Sequence, residues 1–313
     1  MRSINLSARE GYYLCLETKT ARAYSEYCPL YPVHHQSFLF ESGEVLHNLA
    51  EIKFSQKPGD FLKQVFQLPD NELLATFQWA LLDLYEQENE HLFFQPLRDS
   101  VEFNALVTSF DDEKEAEELQ KQGFQCIKIK VAEQDIDKEL KYLHRLPSEI
   151  KLRLDANRKF STGEALEFLG ECRELNIDYL EEPLQEFSEL SQLPGGFRYA
   201  LDESLLTGKP FNCDIMVIKP LVFKNLSLLF RLLDFAKEND KEVVVSSIFE
   251  SHLSFYRICR LALALPTASS YHGLGTHTWF QSSEFQLLNR ANLVTRQELD
   301  NFIFKEPQRF SQL

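Results

Sequence analysis

The sequence lacks the features that mark secreted, membrane-spanning or zinc-stabilised proteins. Its six cysteines are spread along the chain without a Cys-x-x-Cys pair, so reduced thiols are expected rather than disulfides or a structural zinc site. The apolar runs are short, as at 261–265, whereas a membrane helix needs about 20 apolar residues. Residues 1–10 are polar and contain no apolar signal core. These absences predict a cytoplasmic location.

Positive charge is also scarce. The chain has 33 Lys and Arg against 48 Asp and Glu, which gives a formal net charge of −15. An acidic surface of this size repels nucleic acid and anionic membranes, so neither is expected as a partner.

The length of 313 residues suits a barrel with a modest second domain.

The first hundred residues predict an α+β domain, which we place at 1–100. Segments 12–17 and 21–26 have the composition of strands in a small antiparallel sheet. Segment 71–88 repeats Leu and aromatic residues at steps of three and four, which predicts a long helix. A shorter helix is predicted at 42–52.

From about residue 102 the pattern changes to short apolar runs that alternate with amphipathic segments. The runs are 103–108, 126–131, 152–155, 179–181, 199–202, 215–219, 243–246 and 270–272. Eight such strand–helix steps predict a (β/α) barrel over residues 101–284. An open doubly wound sheet is the alternative, but it requires a glycine-rich phosphate turn after its first strand, and none is present. Residues 285–313 are expected to pack back against the N-terminal domain.

Acidic residues end three successive predicted strands. Asp155, Glu181 and Asp202 follow one another at intervals of 26 and 21 residues, one strand–helix unit each, so their side chains are expected to converge at one end of the barrel. Three carboxylates repel one another strongly in a partly dry site. A divalent cation relieves that repulsion, and an all-oxygen ligand set suits Mg²⁺, with Mn²⁺ as a substitute.

Lysines flank this acidic triad in strand order. Lys128 and Lys130 precede it and point to the same face of their strand, and Lys219 follows it. Two adjacent ammonium groups can lower the pKa of one of them and make it a usable base. Taken singly, each charged residue is more often a solvated side chain or a helix cap. Their order on consecutive strand ends instead predicts removal of a proton α to a metal-bound carboxylate.

The order of these motifs resembles the muconate-lactonizing subgroup of the enolase superfamily. The matching segments are Lys-x-Lys at 128–130, Asp-x-Asn at 155–157, Glu-Glu-Pro at 181–183, Asp-Glu-Ser at 202–204 and Lys-Pro at 219–220. The resemblance implies an α/β protein in which an α+β capping domain covers a modified TIM barrel, (β/α)₇β. It implies Mg²⁺ ligation by Asp155, Glu181 and Asp202. It also implies that Lys130 is the acid/base, with Lys128 beside it and Lys219 opposite.

Three further segments resemble the o-succinylbenzoate synthases of that superfamily. They are RLDANR at 153–158, SSIFES at 246–251 and, in the capping domain, SEYCPL at 25–30, where serine replaces the usual glycine. The resemblance places Arg153 and Asn157 at the substrate. The hydroxyl and backbone N–H groups of Ser246 and Ser247 are expected to bind a carboxylate.

The resemblance implies a carbon–oxygen lyase that acts on a small carboxylate. The implied reaction is the syn dehydration of 2-succinyl-6-hydroxy-2,4-cyclohexadiene-1-carboxylate to o-succinylbenzoate in menaquinone biosynthesis. An N-acylamino-acid racemase or dipeptide epimerase is the alternative, since Lys130 and Lys219 supply a lysine on each face of an α-carbon. Dipeptide epimerases typically carry an aspartate motif at the eighth strand, and residues 271–275 contain no acid. A non-catalytic barrel is disfavoured because all three acids and Lys130 are present.

Overall fold

The computed structural model describes residues 11–28, 49, 51–107, 110, 115–133, 135–207, 212–279, 290–302 and 304. The predicted helix at 42–52 lies largely outside these residues, as does the capping-domain segment beyond Cys28. All six cysteines are described, and all are free thiols. Within the described ranges, no helix is both long enough and apolar enough to cross a membrane.

The N-terminal region folds as a two-stranded sheet packed on a long helix. Strands β1 (Tyr12–Glu17) and β2 (Arg22–Tyr27) pair in antiparallel fashion. Helix α1 (Pro58–Phe66) has proline in its first turn, where the missing N–H costs nothing. Helix α2 (Glu72–Asn89) begins after Asn71, whose side chain accepts the N–H groups of the first turn. The two predicted strands and the predicted long helix are confirmed.

A seven-stranded parallel sheet follows, with its strands in sequence order from β4 to β10. The strands of the remaining chain are β3 (Ser100–Phe103), β4 (Ala105–Val107), β5 (Cys126–Lys130), β6 (Lys151–Asp155), β7 (Ile177–Glu181), β8 (Tyr199–Leu201), β9 (Ile215–Ile218), β10 (Glu242–Val245), β11 (Tyr271–His272) and β12 (Leu293–Thr295). The helices are α3 (Glu115–Lys121), α4 (Ile136–Leu143), α5 (Thr162–Glu171), α6 (Leu226–Glu238), α7 (His252–Ala264) and α8 (Arg296–Asp300). The strands of the seven-stranded sheet, β4 to β10, are largely buried on both faces, which explains their nearly continuous apolar runs.

Strand β11 closes the curled sheet between its first and last strands. It pairs with β3, the segment just before β4. Isolated backbone bridges join β10 and the residue after it to the segments that flank β11, as between Ser246 and Gly273. The seam is tight, because a Cβ on Gly275 would lie 2.4 Å from the Asn104 carbonyl oxygen. The predicted α/β class is therefore confirmed, as a modified barrel with an N-terminal α+β domain. The domain boundaries at residues 100 and 284 stay predictions.

The N-terminal domain supplies polar side chains to the starts of two barrel helices. Gln78 of α2 is fully buried and accepts the N–H of Leu226, the first residue of α6, at 2.7 Å. Glu26 of β2 accepts the N–H of Ser251, the residue before α7, at 2.9 Å. The first N–H groups of a helix have no partner within the helix. These two contacts therefore join the N-terminal domain to the barrel where β9 and β10 end.

The seam also makes stability depend on pH through His272. Its Nδ1 accepts the N–H of Val245 at 2.9 Å. Burial, with the nearby Arg153 and Arg98, lowers the pKa of His272 from 6.5 to about 3. The unfolded chain takes up a proton on this histidine below pH 6.5 and the folded chain does not. The contribution to stability is complete above that pH and is lost as the pH falls toward 3.

We expect His272 to account for about 2 kcal/mol of the stability lost between pH 7 and pH 5. Urea unfolding at both pH values measures this loss. His272→Asn, whose side-chain oxygen can accept the same N–H, should lack that part of the pH dependence. The exposed His144 supplies the control, since His144→Asn should keep the wild-type dependence. An unchanged loss in His272→Asn would contradict the prediction.

Candidate active site

The three predicted acids lie side by side at the carboxyl end of the barrel. Asp155 and Glu181 end the neighbouring strands β6 and β7 in paired register. Asp202 directly follows the next strand, β8. All three side chains are buried, and Glu181 is completely so. The barrel thus brings three carboxylates to one place, as parallel strands of similar length do at their carboxyl ends.

The three lysines meet these acids in different ways. Lys128 Nζ lies 2.9 Å from Asp155 Oδ2 and 2.7 Å from Glu181 Oε1. Lys219, just after β9, pairs with Asp202 Oδ2. Lys130, two residues beyond Lys128 on β5, donates instead to Asn157 Oδ1 at 3.0 Å. Lys128 and Lys219 therefore neutralise the acids, and Lys130 is held by a neutral amide.

The electrostatics of the site follow from burial and these ion pairs. Burial alone disfavours the Lys128 ammonium, but Asp155 and Glu181 outweigh it and raise the pKa of Lys128 well above its usual range. The lowering expected for one of two adjacent lysines does not occur at Lys128, since this residue is paired with two carboxylates. Burial raises the pKa of Glu181 well above its usual range and that of Asp202 to about 6. For Asp155 burial alone would raise the pKa, but the combined effect of Lys128, Lys130 and the Asn157 N–H outweighs burial and lowers it.

The acidic triad fits a divalent cation. Glu181 Oε2 is a buried oxygen without a hydrogen-bond partner among the described residues, and an unsatisfied buried acceptor is costly. Over the same residues, no three His, Cys, Asp or Glu side chains form a ready-made metal cluster. The ammonium groups of Lys128 and Lys219 are paired with the acids instead. Asp155, Glu181 and Asp202 would hold Mg²⁺, since a set of carboxylate oxygens suits this ion.

Glu182 orients the end of β8, and the sequence pattern did not predict this role. The residue has a φ of 41°, a left-handed conformation, and its side chain is buried. Its carboxylate accepts the N–H groups of Asp202 and Ser204 at 2.8 Å each, and the Ser204 hydroxyl at 2.7 Å. Glu182 thereby positions Asp202. The available signal was a second acid next to Glu181, which cannot enter the same cavity without strong repulsion.

Asn157 lies at the site, where its backbone conformation is unusual. Its φ is 44°, and its N–H donates to Asp155 Oδ1 at 3.1 Å. A left-handed residue other than glycine is uncommon and is most often Asn or Asp. Asn157 thus contacts an acid through its backbone and Lys130 through its side chain. Its predicted contact with substrate stays a prediction.

Arg153 occupies a different place from the one predicted. It lies on β6 two residues before Asp155 and is fully buried. Its donors reach Asp178 Oδ2 at 2.9 Å, Asn104 Oδ1 at 3.0 Å, the Tyr271 carbonyl oxygen at 2.9 Å and Ser269 Oγ at 2.8 Å. These partners lie around the seam that closes the barrel. The position argues against the predicted direct contact with substrate, because the guanidinium is already bonded within the barrel.

Ser246 and Ser247 follow β10, but their backbone N–H groups are already used. They donate to the carbonyl oxygens of Ile218 and Gly273 at 2.8 and 2.9 Å. The expectation that these N–H groups bind a carboxylate is therefore wrong. The Ser247 hydroxyl accepts from Thr276 Oγ1 at 2.7 Å. Among the described residues the Ser246 hydroxyl has no partner, and its predicted contact with substrate stays a prediction.

Comparison with known proteins places these features in a family. The model of the family described as Enolase C-terminal domain-like matches residues 111–295. The o-succinylbenzoate synthase of Mycolicibacterium smegmatis is 30% identical over 194 residues, 58% of this chain and 60% of the relative. That of Aliivibrio fischeri is 25% identical over 90% of this chain and 86% of the relative. The L-Ala-D/L-Glu epimerase of Thermotoga maritima is 26% identical over 71% and 72%.

The chain spans only part of some relatives. It is 31% identical to Protein PHYLLO, chloroplastic, from Arabidopsis thaliana over 67% of its own length but 14% of that protein. The chain likewise spans 60% of the synthase from Mycolicibacterium smegmatis and 62% of that from Desulfotalea psychrophila.

Solved structures share the fold. The L-Ala-D/L-Glu epimerase from Bacillus subtilis has a TM-score of 0.71 at 22% identity, over 84% of this chain and 82% of that chain. MenC from Desulfotalea psychrophila has a TM-score of 0.68 at 19% identity, over 88% and 90%. A dipeptide epimerase from Methylococcus capsulatus, complexed with a Mg ion, has a TM-score of 0.70 at 20% identity, over 85% and 87%. Because the family model covers more than half of the sequence, the chain belongs to the Enolase C-terminal domain-like family of the enolase superfamily.

Proposed function

We propose that the protein catalyses the Mg²⁺-dependent syn dehydration of 2-succinyl-6-hydroxy-2,4-cyclohexadiene-1-carboxylate to o-succinylbenzoate, a cytoplasmic step of menaquinone biosynthesis. The synthase relatives from Mycolicibacterium smegmatis and Aliivibrio fischeri support this reaction. So do the RLDANR and SSIFES segments. The epimerase relatives share the same barrel, so the choice between the two activities depends on the residues that follow β10 and β11.

The observation that carries the proposal is the contact between Ser246 and Gly273. A Cβ on Gly273 would lie 2.6 Å from Ser246 Oγ and 3.0 Å from Ser246 Cβ. No side chain fits at position 273 while Ser246 occupies its present place. The sequence at 271–275 lacks the aspartate motif that is expected of dipeptide epimerases at this strand. At residue 273 an aspartate is also sterically excluded. A donor hydroxyl lies there instead, which suits an anionic substrate.

The lysines supply the chemistry of a syn elimination. Lys130, as the base, takes the proton from the ring carbon α to the carboxylate. The C–O bond to the ring hydroxyl breaks, its electron pair leaves with the hydroxide, and the ring becomes aromatic. The Lys130 ammonium returns the proton to the hydroxide, which leaves as water, so one lysine on one face serves both steps. Lys219, on the other side of the triad, stabilises the developing negative charge. When bound, Mg²⁺ supplies a Lewis acid at the substrate carboxylate.

The second candidate is an N-acylamino-acid racemase or a dipeptide epimerase. The observation in its favour is the arrangement of Lys130 and Lys219 on either side of the acidic triad, because racemisation needs an acid/base on each face of the α-carbon. The relative from Thermotoga maritima is an epimerase of this superfamily.

The two activities are separated by an absorbance assay. With Mg²⁺ the purified protein should dehydrate the cyclohexadiene acid, and chelation of the metal should abolish the reaction. Asp155→Asn should also abolish it, because the triad loses a charge at the metal. The specificity constant kcat/KM should be far greater for this acid than for L-Ala-L-Glu or an N-acylamino acid. A comparable or higher kcat/KM on the dipeptide would overturn the dehydratase assignment and leave the family unchanged.

The two lysines should respond differently to substitution. Lys130→Ala should lose nearly all activity, since this residue moves the proton in either reaction. Lys219→Arg keeps the charge, but a guanidinium does not readily exchange a proton. Dehydration should therefore survive with a loss of about 10²–10³ in kcat, whereas racemisation should disappear. Retained dehydration in Lys130→Ala would show that another lysine is the base.

Solvent deuterium exchange at the substrate α-carbon supplies the control for this comparison. A Lys219→Arg protein that still transfers the proton at Lys130 should show exchange even where dehydration is slowed. Racemisation by Lys219→Arg at the wild-type rate would refute the assignment of one lysine to each face.

A further inference from the structure

The loop at residues 246–251 joins β10 to α7 and has an unusual conformation. Phe249 has a φ of 65°, a left-handed backbone that a bulky side chain rarely adopts. The Phe249 N–H donates to Ser247 Oγ at 3.0 Å, and the Ile248 N–H donates to Glu250 Oε2 at 2.7 Å. The loop thus folds back on its own side chains. A strained segment persists only where its surroundings hold it in place.

One end of this loop is held by the barrel. The Ser247 N–H donates to the Gly273 carbonyl oxygen, and Thr276 Oγ1 donates to Ser247 Oγ. Both partners follow β11. This end carries Ser246, whose hydroxyl lies against Gly273.

The other end is held by the N-terminal domain. Glu26 accepts the Ser251 N–H at 2.9 Å and the Ser251 hydroxyl at 2.6 Å, across 225 positions of sequence. Ser251 is the N-cap residue just before α7, and its own side chain caps no N–H of the helix. Glu26 is buried. The carboxylate also lies near the positive end of the helix dipole, which favours a negative charge.

Two other helices show what Glu26 replaces. Helix α5 is capped by Ser161 with Glu164, and α8 by Thr295 with Glu298, each pair in a reciprocal capping box. In a capping box, a glutamate three residues into the helix accepts the N–H of the capping residue. In α7 that position is occupied by Ser254, whose buried hydroxyl has no partner among the described residues. Glu26 of the N-terminal domain takes the place of the missing glutamate.

We propose that Glu26 is a positioning residue that sets the place of the Ser246 hydroxyl by capping α7 from the N-terminal domain. This inference rests on the proposed function, in which Ser246 donates to a substrate carboxylate. Glu26 acts at one end of the loop, and Ser246 lies at the other. Loss of the contact frees the end at Ser251, and relaxation of the strained loop at Phe249 then shifts the Ser246 hydroxyl, while the acids and lysines of the site keep their own partners. The effect should therefore appear in substrate binding rather than in the chemical step.

The same interface supplies a matched control. Asp83 of α2 lies 2.5 Å from Arg257 Nη2, a residue further along α7. This contact also joins the N-terminal domain to α7, but it does not touch the loop. Asp83→Ala removes a charged contact between the same domain and the same helix, and it removes no contact of Glu26 or Ser251.

The experiment compares kcat, KM and the unfolding temperature of wild type, Glu26→Ala, Glu26→Gln and Asp83→Ala. Glu26→Ala should raise KM about tenfold, because the displaced Ser246 hydroxyl no longer donates to the charged substrate carboxylate, and leave kcat within about threefold of wild type. Glu26→Gln keeps one acceptor oxygen and should fall between Glu26→Ala and wild type. Asp83→Ala should lower the unfolding temperature without changing KM. A calorimetric Kd for the product o-succinylbenzoate should change in parallel with KM.

Two results would overturn the inference. One is an equal rise of KM in Glu26→Ala and Asp83→Ala, which would show a general effect of domain docking. The other is a loss of kcat or stability in both Glu26 variants with unchanged KM. If the wild type acts on dipeptides and not on the cyclohexadiene acid, the proposed function fails. The same comparison with the dipeptide then decides the role of Glu26 separately.

Discussion

Mutual repulsion among buried carboxylates is the constraint on which the active end of the barrel depends. Asp155, Glu181 and Asp202 cannot all remain ionised out of water unless positive charge lies among them. The barrel supplies that charge on the strands to either side, from Lys128 on β5 and from Lys219 after β9. The acids and lysines therefore form one electrostatic unit. A divalent cation at the triad would add to the positive charge with which Lys128 and Lys219 already offset the three carboxylates.

The same constraint explains why the site extends beyond its motifs. Glu182 adjoins Glu181 but turns away through a left-handed backbone. Its carboxylate accepts hydrogen bonds from the N–H groups after β8. The N-terminal domain likewise acts through helix starts, with Gln78 at α6 and Glu26 at α7. These two helices follow the strands that precede Lys219 and Ser246. The strand–helix units that the domain anchors are thus the ones that carry the second lysine and the Ser246 hydroxyl.

Much of this architecture was predictable from the sequence, because barrel strands are buried on both faces. Their apolar runs lie within a few residues of the observed strands, and the three acids follow neighbouring strands at one end of the barrel, as the spacing predicts. The cross-domain contacts were not predictable. Glu26 meets Ser251 across 225 positions and Gln78 meets Leu226 across 148, and no local pattern records such a pairing. For Arg153 a local motif was misleading. The RLDANR segment suggested a contact with substrate, whereas the buried guanidinium is bonded within the seam that closes the barrel.

The close approach of Gly273 to Ser246 has a consequence for the evolution of specificity on this scaffold. An acidic side chain at position 273 would overlap the serine, and removal of the serine alone would leave an unfilled gap beside a glycine. Each substitution is unfavourable unless the other is already present. A change of activity at this strand therefore has to pass through a poorer intermediate or occur at both positions together. The two residues should therefore change as a coupled pair and not through single replacements that are each tolerated independently.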